Sequence, residues 1–375
     1  MREKTPIVFE KQNNLKVSKV KLTIITSLIL KCVLLALFWS EYSKIAPSPY
    51  QIWGADEAHW VKKSILVEQA IERKGVISTL FDLTNVVSTW HCGWPFLAGY
   101  IFFIFGENVF VVLLLKQFIY AIGTLYIYKL SLLVTSSYKT SYMILLFSVI
   151  YPPLTIYSVS FMREEILFSF ISITLYLIMK RNSVDKAAFY ELFIILNIMI
   201  ILTFRVHVGC VFIIVYFISI FNNNLNFKNF IYRCFILLFI TFLTSEYIAY
   251  GIRMISANGF SFSLVEYVYS FTRFLLSPLP WKMEIDNHNY YNIWWYCITL
   301  PLIILSILFS NYILQSINKN KILILFILMY FFCYMLNVKI LGASNLAIGP
   351  RQFSLIGPLF FLTAYSTIFS KVKLY

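Results

Sequence analysis

The segment 53–60 reads WGADEAHW and places two adjacent carboxylates, Asp56 and Glu57, and the imidazole of His59 between two tryptophans. A carboxylate flanked by aromatic side chains near a membrane surface can have a raised pKa and act as a general base toward a hydroxyl group. The structural alternative is that Asp56 caps a helix starting at Glu57, with both acids stabilised by the helix dipole. Trp60 favours a membrane–water interface, and with His59 it is a candidate substrate contact.

A second acidic pair, Glu164 and Glu165, follows Arg163 at the start of an apolar run. Either glutamate could assist Asp56 in positioning an acceptor. Asp56, Glu164 and Glu165 are also candidate ligands for a divalent cation, which the chemistry does not require. The structural alternative places both glutamates in the first turn of a helix, with Arg163 as a neighbouring ion-pair partner. Arg163 itself is a candidate substrate contact.

Basic side chains that could bind a phosphate stand at three further places. Arg205 and His207 lie between two short apolar runs, where a buried guanidinium is costly unless it meets an anion such as a phosphate oxygen. The alternative is a surface turn from which both side chains reach water. The other candidates are Arg273 and Lys282, in a segment rich in aromatic residues and proline, and Arg351, before the last apolar run.

The composition places these residues in an all-α integral membrane protein. Of 375 residues, 60% are hydrophobic and only 13% charged, whereas a soluble domain carries about a quarter charged residues. The net charge of +14 gathers in short basic loops, as the positive-inside rule expects, so it indicates no nucleic-acid partner. The six cysteines lack the spacing of a zinc site or disulfide framework. No Walker loop, dinucleotide fingerprint, HExxH or nucleophile elbow is present.

Apolar runs of near-membrane length predict one membrane domain over residues 1–375. We expect ten spans, at residues 22–40, 109–134, 141–160, 166–180, 189–204, 207–221, 230–250, 293–311, 321–338 and 353–370. Residues 93–106 are short for a crossing and are interpreted as an interfacial or re-entrant helix. This topology places 17 Lys and Arg against four acids on the cytoplasmic side and 13 of each on the outer side, with Lys31 inside the first span. Counting 93–106 as a span scrambles that asymmetry.

Both termini are then cytoplasmic, beginning with the basic tail 1–21, and every chemical candidate faces outward. Segments 41–108 and 252–291 form the long outer loops. The first contains a helix ending near Gly75, which we expect to lie on the membrane surface with Val67 and Ile71 on one side. Because the outer face has no nucleotide motif, a transferase there would take its donor from the membrane.

The order and spacing of several stretches resemble the GT-C superfamily of membrane glycosyltransferases, which use polyprenyl-phosphate sugars. These stretches are GADEAHW in the first outer loop, WHCGWPFLAGYIFFIFGEN before the second span, YPPLTIYSVSFMREE after the third, ILTFRVHVG, which is similar to the LTRP-type stretch of bacterial members, and GPRQF, which is similar to their late outer arginine. The resemblance covers about residues 20–210 best.

The resemblance implies an inverting glycosyltransferase of the bacterial inner membrane, with Asp56 as base, Glu57 as its partner and Glu164 or Glu165 as a second acid. The acceptor hydroxyl would give its proton to the base and attack C1 of the sugar, and polyprenyl phosphate would leave. The implied partners are the lipid-linked donor, a glycan or lipid acceptor of the cell envelope, and the bilayer. The candidates for stabilising charge on the phosphate are Arg205, Arg273 and Arg351.

Two other functions fit the same sequence. An O-antigen or capsule repeat-unit polymerase also joins lipid-linked sugars on the outer face, but it relies on arginines in two large outer loops, whereas this chain has an acidic pair in the first. A flippase or transporter of lipid-linked sugars needs polar groups near the bilayer midplane. Apart from Lys31, the polar groups of this chain are expected near the outer edge.

Overall fold

The computed structural model describes residues 6–45, 55–88, 91–151, 154–155, 158–181, 187–221, 304, 321–340 and 355–363. Over these residues the chain is helical, without a β-strand. The helices are α1 (Pro6–Ile45), α2 (Ala55–Lys74), α3 (Val76–Phe81), α4 (Leu83–Val87), α5 (Gly93–Phe105), α6 (Val109–Thr135), α7 (Tyr138–Ile150), α8 (Glu164–Arg181), α9 (Ala187–Phe204), α10 (Val206–Phe221) and α11 (Lys321–Ile340). Residues 357–363 are also helical.

Two helices of the described part are long and apolar enough to cross a membrane. Their apolar portions are Ser18–Ser40 in α1 and Val109–Thr135 in α6. Shorter apolar helices are Gly93–Phe105, Tyr138–Ile150, Phe189–Phe204, Val206–Ser219 and Lys321–Cys333. The predicted bounds of the segments corresponding to α6, α8, α9, α10 and α11 agree with these helices within about two residues. The predicted segments 230–250 and 293–311 lie outside the described residues, apart from residue 304.

The predicted span 141–160 is interrupted in the structure: α7 ends at Ile150, and residues 154, 155 and 158 beyond it are helical again. Two prolines follow at 152 and 153, and a residue before proline is disfavoured in the helical region. Tyr151 accordingly has φ −58° and ψ 111°. With 13 residues, α7 reaches only about 20 Å. The chain then forms turns and bends at 159–163 before α8 begins.

Helix α6 is the centre of the bundle and packs against α1, α7 and α8. It runs in the same direction as α8, since Tyr120 contacts Phe168, with ring centres 5.8 Å apart, and Gly123 further along faces Ser169. The two backbones approach closely there: a Cβ atom on Gly123 would lie 2.7 Å from Ser169 Cα. Glycine at 123 therefore permits the contact between α6 and α8.

Helix α1 runs antiparallel to α6. At one end the hydroxyl groups of Thr23 and Tyr142 share a 2.8 Å hydrogen bond. At the other end the rings of Trp39 and Phe110 lie 6.0 Å apart, close to where α6 begins. We call the end of the bundle marked by Trp39 and Phe110 the upper end.

Helices α9 to α11 extend the bundle on the other side of α8. Arg181 and Glu191 form a 2.9 Å ion pair where α8 ends and α9 begins, so α9 returns toward the upper end. Helix α10 leads away from the upper end. It packs against α11, with the ring centres of Phe212 and Phe326 4.7 Å apart.

Helices α2 to α5 form a smaller unit at the upper end, in which α2 packs against α5. The contact is close because Gly99 has no side chain: a Cβ atom there would lie 2.5 Å from the Ser64 carbonyl oxygen. The predicted end of α2 is confirmed. Val67 and Ile71, expected on one side of a helix at the membrane surface, do share a side but are buried against Leu83, Val87 and Cys92. The capping interpretation of Asp56 is wrong, because α2 begins at Ala55 and Asp56 lies within its first turn.

The exterior of the bundle is apolar where a soluble protein would be polar. On α1, Leu22, Ile29 and Leu37 are each more than half exposed, and on α9 so are Phe189 and Leu192. Exposed apolar area of this extent marks a surface that meets lipid or another protein.

Candidate active site

A buried carboxylate lies between two lysines where α1, α6 and α8 meet. Glu165, in the first turn of α8, has Oε1 3.3 Å from Lys31 Nζ and Oε2 3.6 Å from Lys116 Nζ. The Glu165 and Lys116 side chains are 0% exposed and that of Lys31 is 5% exposed. Lys31 Nζ also lies 3.6 Å from the centre of the Tyr120 ring, a cation–π contact. These groups therefore join three helices through charges that water does not reach.

The neighbouring acid, Glu164, pairs with an arginine from the junction of α9 and α10. Arg205 Nη2 donates to Glu164 Oε1 at 3.0 Å, and both side chains are buried. Arg205 is the non-helical residue between the two helices, so α9 and α10 meet where their apolar runs are interrupted. The interpretation of Arg205 as a surface side chain reaching water is wrong, because its side chain is buried. The interpretation that places both glutamates in the first turn of a helix is confirmed.

The chain from Ser158 to Met162, which precedes α8, receives hydrogen bonds from side chains of α6. Gln117 Nε2 donates to the Ser158 carbonyl oxygen at 2.7 Å. Lys116 Nζ donates to the carbonyl oxygens of Ser160 and, at 3.2 Å, Met162. Buried backbone polar groups need such partners, and irregular backbone at membrane depth is tolerated only where protein supplies them. Lys116 and Gln117, which are adjacent on α6, thus donate hydrogen bonds to carbonyl oxygens of the chain between α7 and α8.

Helix α2 contacts the same segment through two side chains. Glu57 Oε1 accepts the backbone N–H of Phe161 at 2.6 Å. One turn along α2, the Trp60 ring lies 4.7 Å from the Arg163 guanidinium carbon. The first turn of α2, which contains Asp56, is thereby attached to the chain immediately before Glu164.

We define the charge cluster as the buried side chains Lys31, Glu57, Lys116, Arg163, Glu164, Glu165 and Arg205. Lys31 stands eight residues from Trp39 along α1, and Lys116 six residues from Phe110 along α6. At about 1.5 Å per residue, the lysines of the cluster lie roughly 9–12 Å below the upper end of the bundle. Four of its side chains are basic and three are acidic, so charge is largely but not fully compensated within it.

The two histidines predicted as contacts have different positions. His207, at the start of α10, is close enough to Arg205 and Arg163 to interact with them electrostatically. His59 is exposed and packs edge-on against Trp60, with ring centres 5.2 Å apart. The structure thus brings His207 to the charge cluster and leaves His59 on the outside of α2.

Other predicted residues lie outside the described part of the chain. These are Arg273 and Lys282 with the whole segment 252–291, and Arg351. The backbone of Asp56 belongs to α2, but its side chain is not among those described. The candidate site therefore consists of the charge cluster with Trp60 and His207, together with Trp94, which contacts Phe161.

Sequence reasoning named Arg205 but not Lys116, Gln117 or Trp94, and it noted Lys31 only as a charge inside the first span. Lys116 and Gln117 lie inside a 27-residue apolar helix, and Lys31 lies inside the first span. A charge within such a run is costly and indicates a partner, so the signal was present for both lysines. Trp94, whose indole N–H donates to the Phe161 carbonyl oxygen at 3.3 Å, has no comparable signal.

Two of the three acids predicted as metal ligands, Glu164 and Glu165, already have basic partners. Within the residues that the structure describes, no group of three or more His, Cys, Asp or Glu side chains is arranged to hold a metal ion. A divalent cation at Glu165 would have to displace Lys31 or Lys116, and one at Glu164 would compete with Arg205. The chemistry available to these two glutamates is therefore charge compensation of bases.

Comparisons of the chain with protein-family models, with curated protein sequences and with solved structures found no match. The site must accordingly be interpreted from its own geometry.

Proposed function

We propose that the protein is a membrane glycosyltransferase that moves a sugar from a polyprenyl-phosphate donor to a glycan or lipid acceptor. The observation that carries the proposal is the attachment of the first turn of α2 to the segment before Glu164, through Glu57 and Phe161. This attachment fixes the first turn of α2, to which Asp56 belongs, beside the segment that leads to Arg163 and Glu164. A base and phosphate-binding cations are the two things that the transfer needs.

The chemistry follows from the positions of these residues. Asp56 removes the proton from the acceptor hydroxyl, the oxygen forms a bond to C1 of the sugar, and the bond from C1 to the phosphate oxygen breaks with inversion. The leaving polyprenyl phosphate gains negative charge, which Arg205 and Arg163 stabilise.

The proposal includes the membrane placement. Ten spans, with both termini cytoplasmic, put the upper end of the bundle on the outer face of a bacterial inner membrane. The apolar exterior of α1 and α9 supports contact with lipid. The short α5, packed against α2, suits an interfacial or re-entrant helix better than a span. The donor then reaches the site from within the bilayer, which agrees with a cluster roughly 9–12 Å below the upper end.

One observation favours a second function, a flippase or transporter of lipid-linked sugars. In the proposed topology the Lys31–Glu165–Lys116 contact and the non-helical residues 159–163 are buried inside the membrane protein, and such buried charges beside interrupted helices are typical of transport sites. A flippase moves the lipid-linked sugar without making a new glycosidic bond.

The test is a transfer assay with purified protein in proteoliposomes, together with mass analysis of the glycan from cells with and without the gene. Asp56→Asn should lower the transfer rate by roughly 10²–10⁴-fold, because the amide cannot accept the proton, while its melting temperature stays at the wild-type value. Glu72→Gln, exposed on the same helix, is the matched control and should transfer normally. Wild-type transfer by Asp56→Asn would refute the assignment of the base.

The product separates the competing functions. One added sugar per acceptor supports the transferase, whereas addition of whole repeat units indicates a polymerase. Movement of the lipid-linked sugar across the bilayer without any covalent product indicates a flippase.

A further inference from the structure

The peptide unit of Phe161 is held from both sides by side chains of different helices. Its N–H donates to Glu57 Oε1 on α2 at 2.6 Å, and its carbonyl oxygen accepts the Trp94 indole N–H of α5 at 3.3 Å. Glu57, Trp94 and Phe161 are all buried. The rings of Trp94 and Phe161 also pack together, with their centres 5.0 Å apart. The contact is therefore a built connection between α2, α5 and the segment before α8.

This connection limits what the Glu57 carboxylate can do. A general base must direct an oxygen at the hydroxyl that it deprotonates, yet Oε1 of Glu57 is engaged by a backbone donor. A hydrogen bond from a buried N–H to a charged carboxylate is among the stronger ones in a protein. Leaving that N–H unpaired costs the full desolvation of the group. The geometry suits a carboxylate that holds the backbone in place.

A second contact extends the connection along α2. Trp60 lies one turn after Glu57 and covers the Arg163 guanidinium, two residues after Phe161. The first turn of α2 is thus fixed to the segment at two successive points, and Asp56 stands immediately before the first of them. A displacement of Glu57 would shift the base and the cation relative to each other, and small misplacements of reacting groups lower rates strongly.

We propose that the adjacent acids divide their roles: Glu57, with Trp94, is a positioning residue that clamps the Phe161 peptide and so fixes the first turn of α2, to which Asp56 belongs, beside the segment that contains Arg163. This inference rests on the proposed glycosyl transfer, and it replaces the assignment of Glu57 as a second catalytic carboxylate. Trp94 has no role in the reaction other than its part in the clamp.

The experiment compares Glu57→Gln, Glu57→Ala and Asp56→Asn in the purified full chain, with Glu72→Gln as the exposed control on α2. Glutamine keeps an oxygen that accepts the Phe161 N–H, whereas alanine removes it. The transfer rate is measured together with hydrogen–deuterium exchange of the peptide that contains the Phe161 amide. The exchange measurement reports the clamp whether or not the protein transfers sugar.

We expect Glu57→Gln to retain transfer within about tenfold of wild type and Glu57→Ala to lose on the order of a hundredfold, the worth of a hydrogen bond to a charged group. Exchange at Phe161 should rise only in Glu57→Ala. Trp94→Phe, which keeps the aromatic ring but removes the donor, should lower the rate by about tenfold. Because it leaves every charge in place, it tests the clamp even if Glu57→Ala fails to fold.

Three results would overturn the inference. The first is wild-type exchange at Phe161 in Glu57→Ala, which would mean that no clamp exists in solution. The second is a Glu57→Gln variant as inactive as Asp56→Asn while its Phe161 exchange stays normal, since Glu57 would then act chemically. The third is full activity of Trp94→Phe. If instead Asp56→Asn transfers sugar normally but Glu57→Ala still raises exchange, the clamp stands and the proposed function fails.

Discussion

Two places in the molecule where lysine meets a carboxylate have the same chemistry but differ in burial and in the separation of their residues along the chain. Glu165 and its two lysines are buried between α1, α6 and α8, with side chains at most 5% exposed. Lys74 and Asp82, which join the end of α2 to the turn before α4, are 34% and 42% exposed. In the first contact Lys31 and Glu165 are 134 positions apart along the chain, whereas Lys74 and Asp82 are eight apart.

The comparison shows that burial, and not the presence of an ion pair, decides what a charge contributes. Exposed pairs contribute little because water and salt screen them. A buried pair need not stabilise relative to apolar groups, but losing one partner strands the other charge in a medium that cannot solvate it. The buried contact thus limits which helices can pack together. The exposed contact only holds the end of α2 near the turn before α4.

The largest effect is expected for Glu165→Ala. The substitution removes the carboxylate that lies between Lys31 and Lys116. Breaking a buried pair in this way costs about 3–5 kcal/mol. The melting temperature of the purified protein in detergent, followed by size-exclusion chromatography after heating, measures the loss. An unchanged melting temperature would mean that the two lysines find other compensation.

A matched variant tests whether the loss of stability in Glu165→Ala comes from the unbalanced charge or from the lost packing. Replacing all three side chains together, as Lys31→Met, Lys116→Met and Glu165→Leu, removes the charges while keeping apolar volume. Relative to Glu165→Ala, this triple variant should recover part of the stability. Full recovery is not expected, because Lys116 also donates to the Ser160 and Met162 carbonyl oxygens.

Glu68 on α2 is an intermediate case, a largely buried acid that forms no ion pair with a base in the described part of the chain. Its Oε2 atom has no hydrogen-bond partner among the described residues. Burial, with Glu107 and Glu72 nearby, raises the pKa of Glu68 above its ordinary value of 4.5. The native state then holds a proton more readily than the unfolded chain, so stability falls as the pH rises from about 4.5 through the native pKa.

Glu68→Gln should therefore raise the melting temperature at pH 7 and have little effect at pH 4, where the native glutamate is protonated. The effect should be smaller than that of Glu165→Ala, because Glu68 is not wholly removed from water. Glu72→Gln, at an exposed position one turn along α2, serves as the control and should raise the melting temperature at pH 7 less than Glu68→Gln does. A stabilisation of equal size at both pH values would point to packing rather than charge.

Much of the fold could be predicted because the sequence marks its helices clearly. Apolar runs bounded by charges or turns gave the bounds of α6 and α8 nearly as the structure has them. The end of α7 was missed because apolar residues continue past Pro152 and Pro153, so hydrophobicity outweighed the stronger steric signal of proline. Asn108, whose side chain accepts the N–H groups of Phe110 and Val111 at the start of α6, shows the local capping that such patterns imply.

The site was less predictable because its contacts are set by packing between distant parts of the chain. The chemistry-bearing acids were identified, but their partners were not: Lys31 meets Glu165 across 134 positions, and Arg205 meets Glu164 across 41. Such pairings depend on α6 and α8 running in the same direction and on the close approach at Gly123. Neither property is visible in hydrophobic patterning or in charge counts.

The smallest effect is expected at the exposed pair. Lys74 and Asn85 donate hydrogen bonds to Asp82 and lower the pKa of its carboxyl below the ordinary value of 3.8. Any stabilisation that results is present at neutral pH and is lost as the pH falls through the native pKa. Lys74→Ala should nevertheless leave the melting temperature at pH 7 unchanged within error, in low salt and in 0.5 M salt alike, because water already solvates both groups. A loss approaching that of Glu165→Ala would show that the turn between α3 and α4 supports the bundle, and that exposure alone does not rank these contacts.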